Sequence, residues 1–259
     1  MPRLAANLTF MFNEVPFLDR FEVAAKAGFR GVEYLFPYDF PKEQIAERLH
    51  KHRLTQVLFD FPAGNWAAGD RGTAVDPKRT GEFQDGAGKA LDYAQALGCK
   101  RLTILAGKAP DSVPADKATQ TLVENIRFAA RKSALLGITV LVEALNSRDV
   151  PGFFLLKTAQ TKAVLEAVAE KNARLQYDIY HMQIMEGDLA STIKANIGDI
   201  GHFQLADNPG RNEPGTGEIN YDFILPFIDG LGYDGWVGCE YRPKGKTVDG
   251  LGWAKKYLS

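Results

Sequence analysis

Four polar residues, Glu143, Asp178, Gln204 and Glu240, each close a short apolar run in the second half of the chain. Three are carboxylates and the fourth offers an amide oxygen. Carboxylates held together out of water repel one another and rise in pKa. A divalent cation relieves that conflict, and an all-oxygen set suits a hard ion such as Mg2+ or Mn2+. A single polar strand end meets solvent as readily as it meets a ligand; four in succession at equivalent places point to a shared site. A pair of glutamates in such a set is equipment for isomerisation. Moving a carbonyl by one carbon takes a proton from one carbon and delivers one to its neighbour through an enediolate, with one carboxylate as base and the other as acid. A cation on the two substrate oxygens stabilises the developing charge. Glu143 and Glu240 end runs three apart in the series, which lets them face each other across a bound metal, with Asp178 and Gln204 as ligands only.

For these side chains to meet, the runs that carry them must lie side by side. Eight short apolar runs, residues 4–10, 31–36, 55–61, 101–106, 138–143, 174–178, 200–204 and 236–240, alternate with helical patterns. Such runs suit parallel strands covered on both faces. Amphipathic segments at residues 17–27, 42–52, 82–97, 118–136, 158–170, 189–196, 223–231 and 253–258 predict helices, with Gly28 as the C-cap of the first. Strand–helix alternation makes parallel βαβ units. Eight of them in 259 residues predict an α/β fold, a (β/α)8 TIM barrel in one domain over residues 1–259. Spacing leaves an open doubly wound sheet as the alternative, and the lack of a GxGxxG after the first strand weakens its dinucleotide-binding form. The long connections, residues 62–78, 146–157 and 206–221, all follow a strand and precede a helix. In a barrel that places them on the C-terminal face, where active sites are built.

Other residues near those strand ends admit two readings. Arg211, in NPGRNEPGTGE, suits the carboxylate of a 2-oxo acid as a bidentate partner, or braces its own loop by an ion pair with Glu213 or Glu218. Trp66, Phe12 and Phe36 would wall the site against water or fill the core. Lys108 is read as solvated, as are His50 and His52 on their charged helix. His202, two residues before Gln204, is read as structural, deeper on the same face. Cys239 should face away from the Glu240 side of its strand and has no evident base to make it a nucleophile.

The segments RLAANLTFMFNEVPFLDRF, FPAGNWAAGDRG, YDIYHMQIMEGDL, ADNPGRNEPGTGEINY and GYDGWVGCEYRP resemble those of the hydroxypyruvate isomerase family, within the xylose isomerase-like barrel superfamily, along essentially the whole chain. The resemblance implies Glu143 and Glu240 as the proton-transfer pair and Glu143, Asp178, Gln204 and Glu240 as the metal shell. It implies the interconversion of hydroxypyruvate and 2-hydroxy-3-oxopropanoate, with 2-oxo-tetronate to 3-oxo-tetronate as a sister activity. It also favours a substrate-oxygen contact for His181, in YDIYH, over packing on the barrel mouth. Ketose 3-epimerisation would use the same two glutamates on one carbon.

Bulk properties narrow the remaining classes. Thirty-one basic and 32 acidic residues leave a net charge of −1, so no global field recruits nucleic acid or an anionic membrane. The four histidines fall short of the multi-metal ligand set of a DNA-repair endonuclease barrel. A non-catalytic sugar-acid sensor would not need two opposed carboxylates. No stretch approaches the roughly 20 apolar residues of a membrane span, and the first residues lack the features of a signal peptide. Two cysteines outside any CxxC pair fit a reducing compartment. The expectation is a cytoplasmic enzyme with a divalent metal and a small 2-oxo acid substrate, with no nucleic-acid or membrane partner. A homo-oligomer is compatible with the chain, although no segment marks an interface.

Overall fold

Eight parallel strands close on themselves in chain order: β1 (Arg3–Asn7), β2 (Gly31–Glu33), β3 (Thr55–Asp60), β4 (Arg101–Ile104), β5 (Thr139–Glu143), β6 (Ala173–Asp178), β7 (Ile200–Leu205) and β8 (Trp236–Cys239). The last returns to the first, Leu4 beside Val237 and Ala6 beside Cys239, so the sheet has no open edge. This is a computed structural model, and it describes residues 2–258. The expected (β/α)8 barrel is therefore present, and the open-sheet alternative is not.

Around the strands lie α1 (Phe17–Lys26), α2 (Lys42–His52), α3 (Thr80–Leu97), α4 (Ala115–Ala134), α5 (Thr158–Val168), α6 (Ile179–Met185), α7 (Leu189–Asn196) and α8 (Tyr221–Gly230). Their apolar stripes supply the outer core. In α4, Ala118, Leu122, Ile126, Ala129 and Ala130 recur at helical spacing and are buried. Inside the barrel, alternate strand residues face one another. Towards the strand N-termini they form an apolar plug with Ala5, Val57 and Leu141, while Leu58 of the same cluster reaches the cavity above. Towards the C-termini they are polar yet buried: Asn7, Glu33, Thr103, Gln176, His202 and Gln204.

Several boundaries differ from the sequence pattern. β1 ends at Asn7 rather than residue 10, because the chain turns there and Asn7 O accepts the N–H groups of Phe10 and Met11. β2 ends at Glu33 rather than 36, and β8 ends at Cys239, although the Glu240 N–H still donates to Leu205 O at 3.0 Å. The helix expected at residues 253–258 is instead a 3-10 segment, Thr247–Ala254; Gly250 and Gly252 within it disfavour an α-helix. The alternation does not foresee α6. Asp178 closes β6 and also caps this helix, accepting the N–H groups of Tyr180 (2.7 Å) and His181 (3.3 Å).

The long connections are held firmly. Beyond β3, Gly72 meets Gly107 beyond β4 so closely that a Cβ on Gly72 would lie 2.1 Å from Leu105 O, and one on Gly107 would lie 2.3 Å from Gly72 O. Their φ angles of +119° and +96° also reserve both places for glycine. Beyond β7, the chain folds around Asp207. Its carboxylate accepts the N–H groups of Gly215, Thr216, Gly217 and Ile219 at 2.8 to 3.0 Å. No helix among the described residues is long and apolar enough to cross a membrane.

Cys99 and Cys239 are free and buried. Burial pushes the Cys99 thiol up to about 12 and the Cys239 thiol well above its ordinary value. Native protein at pH 8 should therefore leave both unreactive towards a disulfide reagent such as DTNB, with both titrating on unfolding in guanidinium. Rapid labelling of the native protein would mean that β8 does not shield its thiol.

Candidate active site

A cavity of about 640 Å3 opens where the strands end. Glu143 from β5, Gln204 from β7 and Glu240 just after β8 line it, with His181 from α6 and Arg211 from the loop beyond β7. Asp178 is 1 % exposed. Its Oδ2 lies 3.6 Å from His181 Nε2 and 3.9 Å from Arg211 Nη2. All six residues singled out as site candidates thus converge. Strand register accounts for it: Glu143 sits beside Gln176, Asp178 beside Gln204, and Gln204 beside Gly238, two residues before Glu240.

Gathering acids in a buried place has an electrostatic consequence. Burial, and after it the charges of Glu240, Asp178 and Asp60, push Glu143 well above the ordinary carboxylate range. Burial raises Asp178 against the opposing pull of Arg211 and of two helix N–H groups. It raises Glu240 to about 8, again against Arg211. Arg211 supplies balancing charge, with Nη2 2.6 Å from Glu240 Oε2 and its guanidinium over the rings of Phe10 (5.1 Å) and Tyr180 (5.2 Å). Its pairing corrects the loop-bracing expectation. Glu213 instead accepts the Lys244 N–H, and Glu218 accepts the side-chain amides of Asn208 and Gln183. Arg211 reaches inward from a backbone with a left-handed φ of 53°, uncommon outside glycine. Its carbonyl is tied to the Arg242 N–H at 2.8 Å.

Two observations fit a divalent cation. Glu143 Oε1 and Asp178 Oδ2 are buried without a hydrogen-bond partner, and hard cations take such carboxylate oxygens as ligands. Glu143, Asp178 and His181 each also offer one ligand atom within 4.8 Å of the others. His181 is the least suited of the three. Its Nδ1 accepts the backbone N–H of Asn146 at 3.1 Å, so the ring proton sits on Nε2, the nitrogen nearest Asp178. Burial, and then Arg211, hold this imidazole well below its ordinary pKa and so keep it neutral. A cation on Nε2 would force a second N–H to face the Asn146 N–H. The ring is set up to donate a hydrogen bond.

Some neighbours escape the strand-end pattern. Asn7, Asp60 and Gln176 line the cavity, as do Trp66 and Arg71 from the loop after β3. Glu33 lies fully buried beneath. Asn7, Glu33 and Asp60 are themselves last residues of β1, β2 and β3. The criterion that singled out Glu143 applies to them too, and it is obscured only because their apolar runs continue past the strand ends. Trp66 stands edge-on to Phe36 at 5.1 Å, with the Arg71 guanidinium 3.9 Å from its ring, as a wall would require. Phe12 does not join it. That ring is buried edge-on to Phe29, and Phe10 lines the cavity instead. Lys108 is exposed, and His202 is buried with Nε2 2.8 Å from Glu33 Oε2, in keeping with a structural role.

Comparison with known proteins agrees with this geometry. A family model described as "Xylose isomerase-like TIM barrel" matches residues 21–257. The chain is 48% identical to the hydroxypyruvate isomerase of Escherichia coli (strain K12) over 257 residues, covering 99% of this chain and 100% of that one. It is 47% identical to the 2-oxo-tetronate isomerase of Cupriavidus necator over 258 residues, covering 100% and 99%. A crystal structure from Brucella melitensis, described as an AP endonuclease of family 2, superposes with a TM-score of 0.98 at 49% identity over the whole of both chains.

The acid cluster makes a testable statement about Arg211. The folded pKa of Glu240, about 8, lies above its ordinary 4.5, so the native state holds the extra proton and stability falls as pH climbs through that window. Removing the guanidinium raises that pKa further. In EDTA, the stability deficit of Arg211→Met should be small at pH 5.5 and grow by about 1 kcal/mol by pH 9, measured by urea unfolding. An equal deficit at both values would mean that Arg211 contributes packing alone.

Proposed function

The chain belongs to the xylose isomerase-like TIM barrel family, and from that premise we propose that it is a cytoplasmic isomerase, residues 1–259 acting as one barrel, that interconverts hydroxypyruvate and 2-hydroxy-3-oxopropanoate. The observation that carries this is the pair Glu143 and Glu240. Both are buried carboxylates lining one cavity, and the charge of the second raises the pKa of the first. A carboxyl group that titrates near neutral pH can take and give protons at carbon under working conditions.

One glutamate removes a proton from C3 of hydroxypyruvate. The C–H electron pair becomes the C2–C3 double bond, and the carbonyl oxygen on C2 takes the charge. The other glutamate delivers a proton to C2 while the C3 hydroxyl proton passes to the oxygen on C2, leaving an aldehyde at C3 and a hydroxyl at C2. One proton leaves carbon and one returns, so no oxidant or reductant is needed. His181 Nε2–H donates to a substrate oxygen, and Arg211 faces the substrate carboxylate. Trp66 and Phe10 keep water from the intermediate. A Mg2+ or Mn2+ ion held by Glu143, Asp178, Gln204 and Glu240 would withdraw charge from the two substrate oxygens and acidify the C–H bond.

A second reading rests on size. The cavity of about 640 Å3 leaves room beyond a three-carbon acid, which favours 2-oxo-tetronate as the other substrate to try. Its additional carbon would extend from C3, away from the reacting pair of carbons. Endonuclease activity has no comparable support, since the described residues hold one group of three possible His, Asp and Glu ligands, Glu143, Asp178 and His181, short of a multi-metal set.

Proton NMR in D2O tests the assignment. Hydroxypyruvate should give 2-hydroxy-3-oxopropanoate with deuterium on carbon, EDTA should stop turnover, and Mg2+ or Mn2+ should restore it. Glu143→Gln and Glu240→Gln should each lower turnover by at least about 100-fold. Full activity in either variant refutes the two-glutamate mechanism, and faster turnover of 2-oxo-tetronate moves the assignment to the four-carbon acid.

A further inference from the structure

A run of hydrogen bonds crosses the barrel directly below the cavity, and every one of them points the same way. Thr103 Oγ1 donates to Gln176 Oε1 (2.6 Å), Gln176 Nε2 to Gln204 Oε1 (2.7 Å), and Gln204 Nε2 to Glu33 Oε1 (2.8 Å). Asn7 Nδ2 also donates to Glu33 Oε1 (3.1 Å), and lies 3.5 Å from Glu240 Oε1. His202 Nε2 meets Glu33 Oε2 at 2.8 Å. Glu33 is thus the common acceptor on which the run ends, and it is fully buried.

The direction of this run has chemical meaning. A side-chain amide can be turned end for end, exchanging its oxygen for its NH2. Asn7 is locked against that by the backbone, because Asn7 Oδ1 accepts the Thr9 N–H at 3.1 Å. Gln176 and Gln204 bond only to other side chains, and the Thr103 hydroxyl at the far end can rotate to accept as well as donate. The acceptor at Glu33 is what holds Gln204 with its NH2 turned away and its Oε1 as an acceptor, one lone pair taking the Gln176 NH2 and the other left for a cation. Turned over, Gln204 would present N–H donors, which repel a cation. The barrel is built to admit Glu33: on β8, a Cβ at Gly238 would lie 2.2 Å from Glu33 Oε1 and 2.4 Å from its Cδ.

We propose that Glu33 is a positioning residue for the cation site, setting divalent-metal affinity and turnover by orienting the Gln204 amide. The inference rests on the assignment of Gln204 as a metal ligand, and it extends the functional reading to a residue that touches neither metal nor substrate.

The test compares two substitutions of Glu33 by titrating Mn2+ into EDTA-treated protein, followed by calorimetry. In Glu33→Gln, the locked Asn7 NH2 draws the new amide oxygen into the Oε1 place, so Gln204 keeps its acceptor. The new NH2 then meets His202, which can move its ring proton to Nδ1, an atom without a partner. Glu33→Gln should bind Mn2+ within about threefold of the parent, whereas Glu33→Met, which lacks any acceptor, should bind at least about tenfold more weakly. At saturating Mn2+, kcat of Glu33→Met should fall by about tenfold or more, with KM changed far less. If Glu33→Met does not fold, Gly238→Ala carries the test: it keeps every polar group but displaces the Glu33 carboxylate, and it should lose Mn2+ affinity to a similar degree. Equal losses in Glu33→Gln and Glu33→Met would overturn the proposal in favour of a charge effect. Parent-like Mn2+ affinity in Glu33→Met, with only a lower Tm, would overturn it in favour of a structural role, as would a parent protein that binds no Mn2+. The binding arm uses no substrate, so a failure to isomerise either acid would sink the functional reading alone.

Discussion

Five carboxyl groups, Asp60, Glu143, Asp178, Glu240 and the deeper Glu33, share a space from which most water is excluded. Their mutual repulsion and desolvation are the constraint to which the rest of the site answers. Each nearby feature reduces it at a different point. The α6 backbone donates to Asp178, Arg211 pairs with Glu240, and Asn7, Gln204 and His202 surround Glu33. What these leave over is two buried carboxylate oxygens without partners, on Glu143 and Asp178. A place with acceptors in surplus and donors used up attracts a cation, a proton, or a substrate rich in hydroxyl groups.

That arrangement needs a rigid floor. Strands hold side-chain positions better than loops do, and here the acids leave successive strand ends while the layer below is tied across the barrel from Thr103 to Glu33. Beneath that layer, Ala5, Val57 and Leu141 form an apolar plug. A polar layer inside a barrel is tolerable only when its members satisfy one another. This one largely does, because each amide both accepts and donates.

The loops add what strands cannot. Cations and aromatic rings must approach the acids from above, and the chain accomplishes this with well-determined turns. Asp207 gathers four backbone N–H groups and so shapes the connection that carries Arg211. Gly72 and Gly107 let two loops touch backbone to backbone, which steadies the segment that carries Trp66 and Arg71. Arg211 also carries a left-handed backbone, and strain of this kind tends to collect where side chains have work to perform.

Periodicity in the chain was enough to predict eight parallel strands and the loops that follow them, because apolar runs alternating with amphipathic helices have few other ways to bury themselves; the closure of those strands into a barrel in chain order, rather than an open sheet, belongs to the tertiary structure. The polar ends of β5 to β8 were equally plain, since each interrupts an apolar run abruptly. Asn7 and Glu33 were hidden because the apolar pattern carries on through Phe10 and Phe36 after the strands have ended; pattern records burial, and a buried turn looks like a strand. The partner of Arg211, the tautomer of His181 and the direction of the Gln176–Gln204 amides lie outside any pattern. Each depends on which atom of a distant segment arrives within 3 Å or so, and hydrogen bonds at that range reward angle and distance that no spacing along the chain encodes. Residue types stated what chemistry was available, and folding settled which acid is paired, which is left bare, and which way each amide faces.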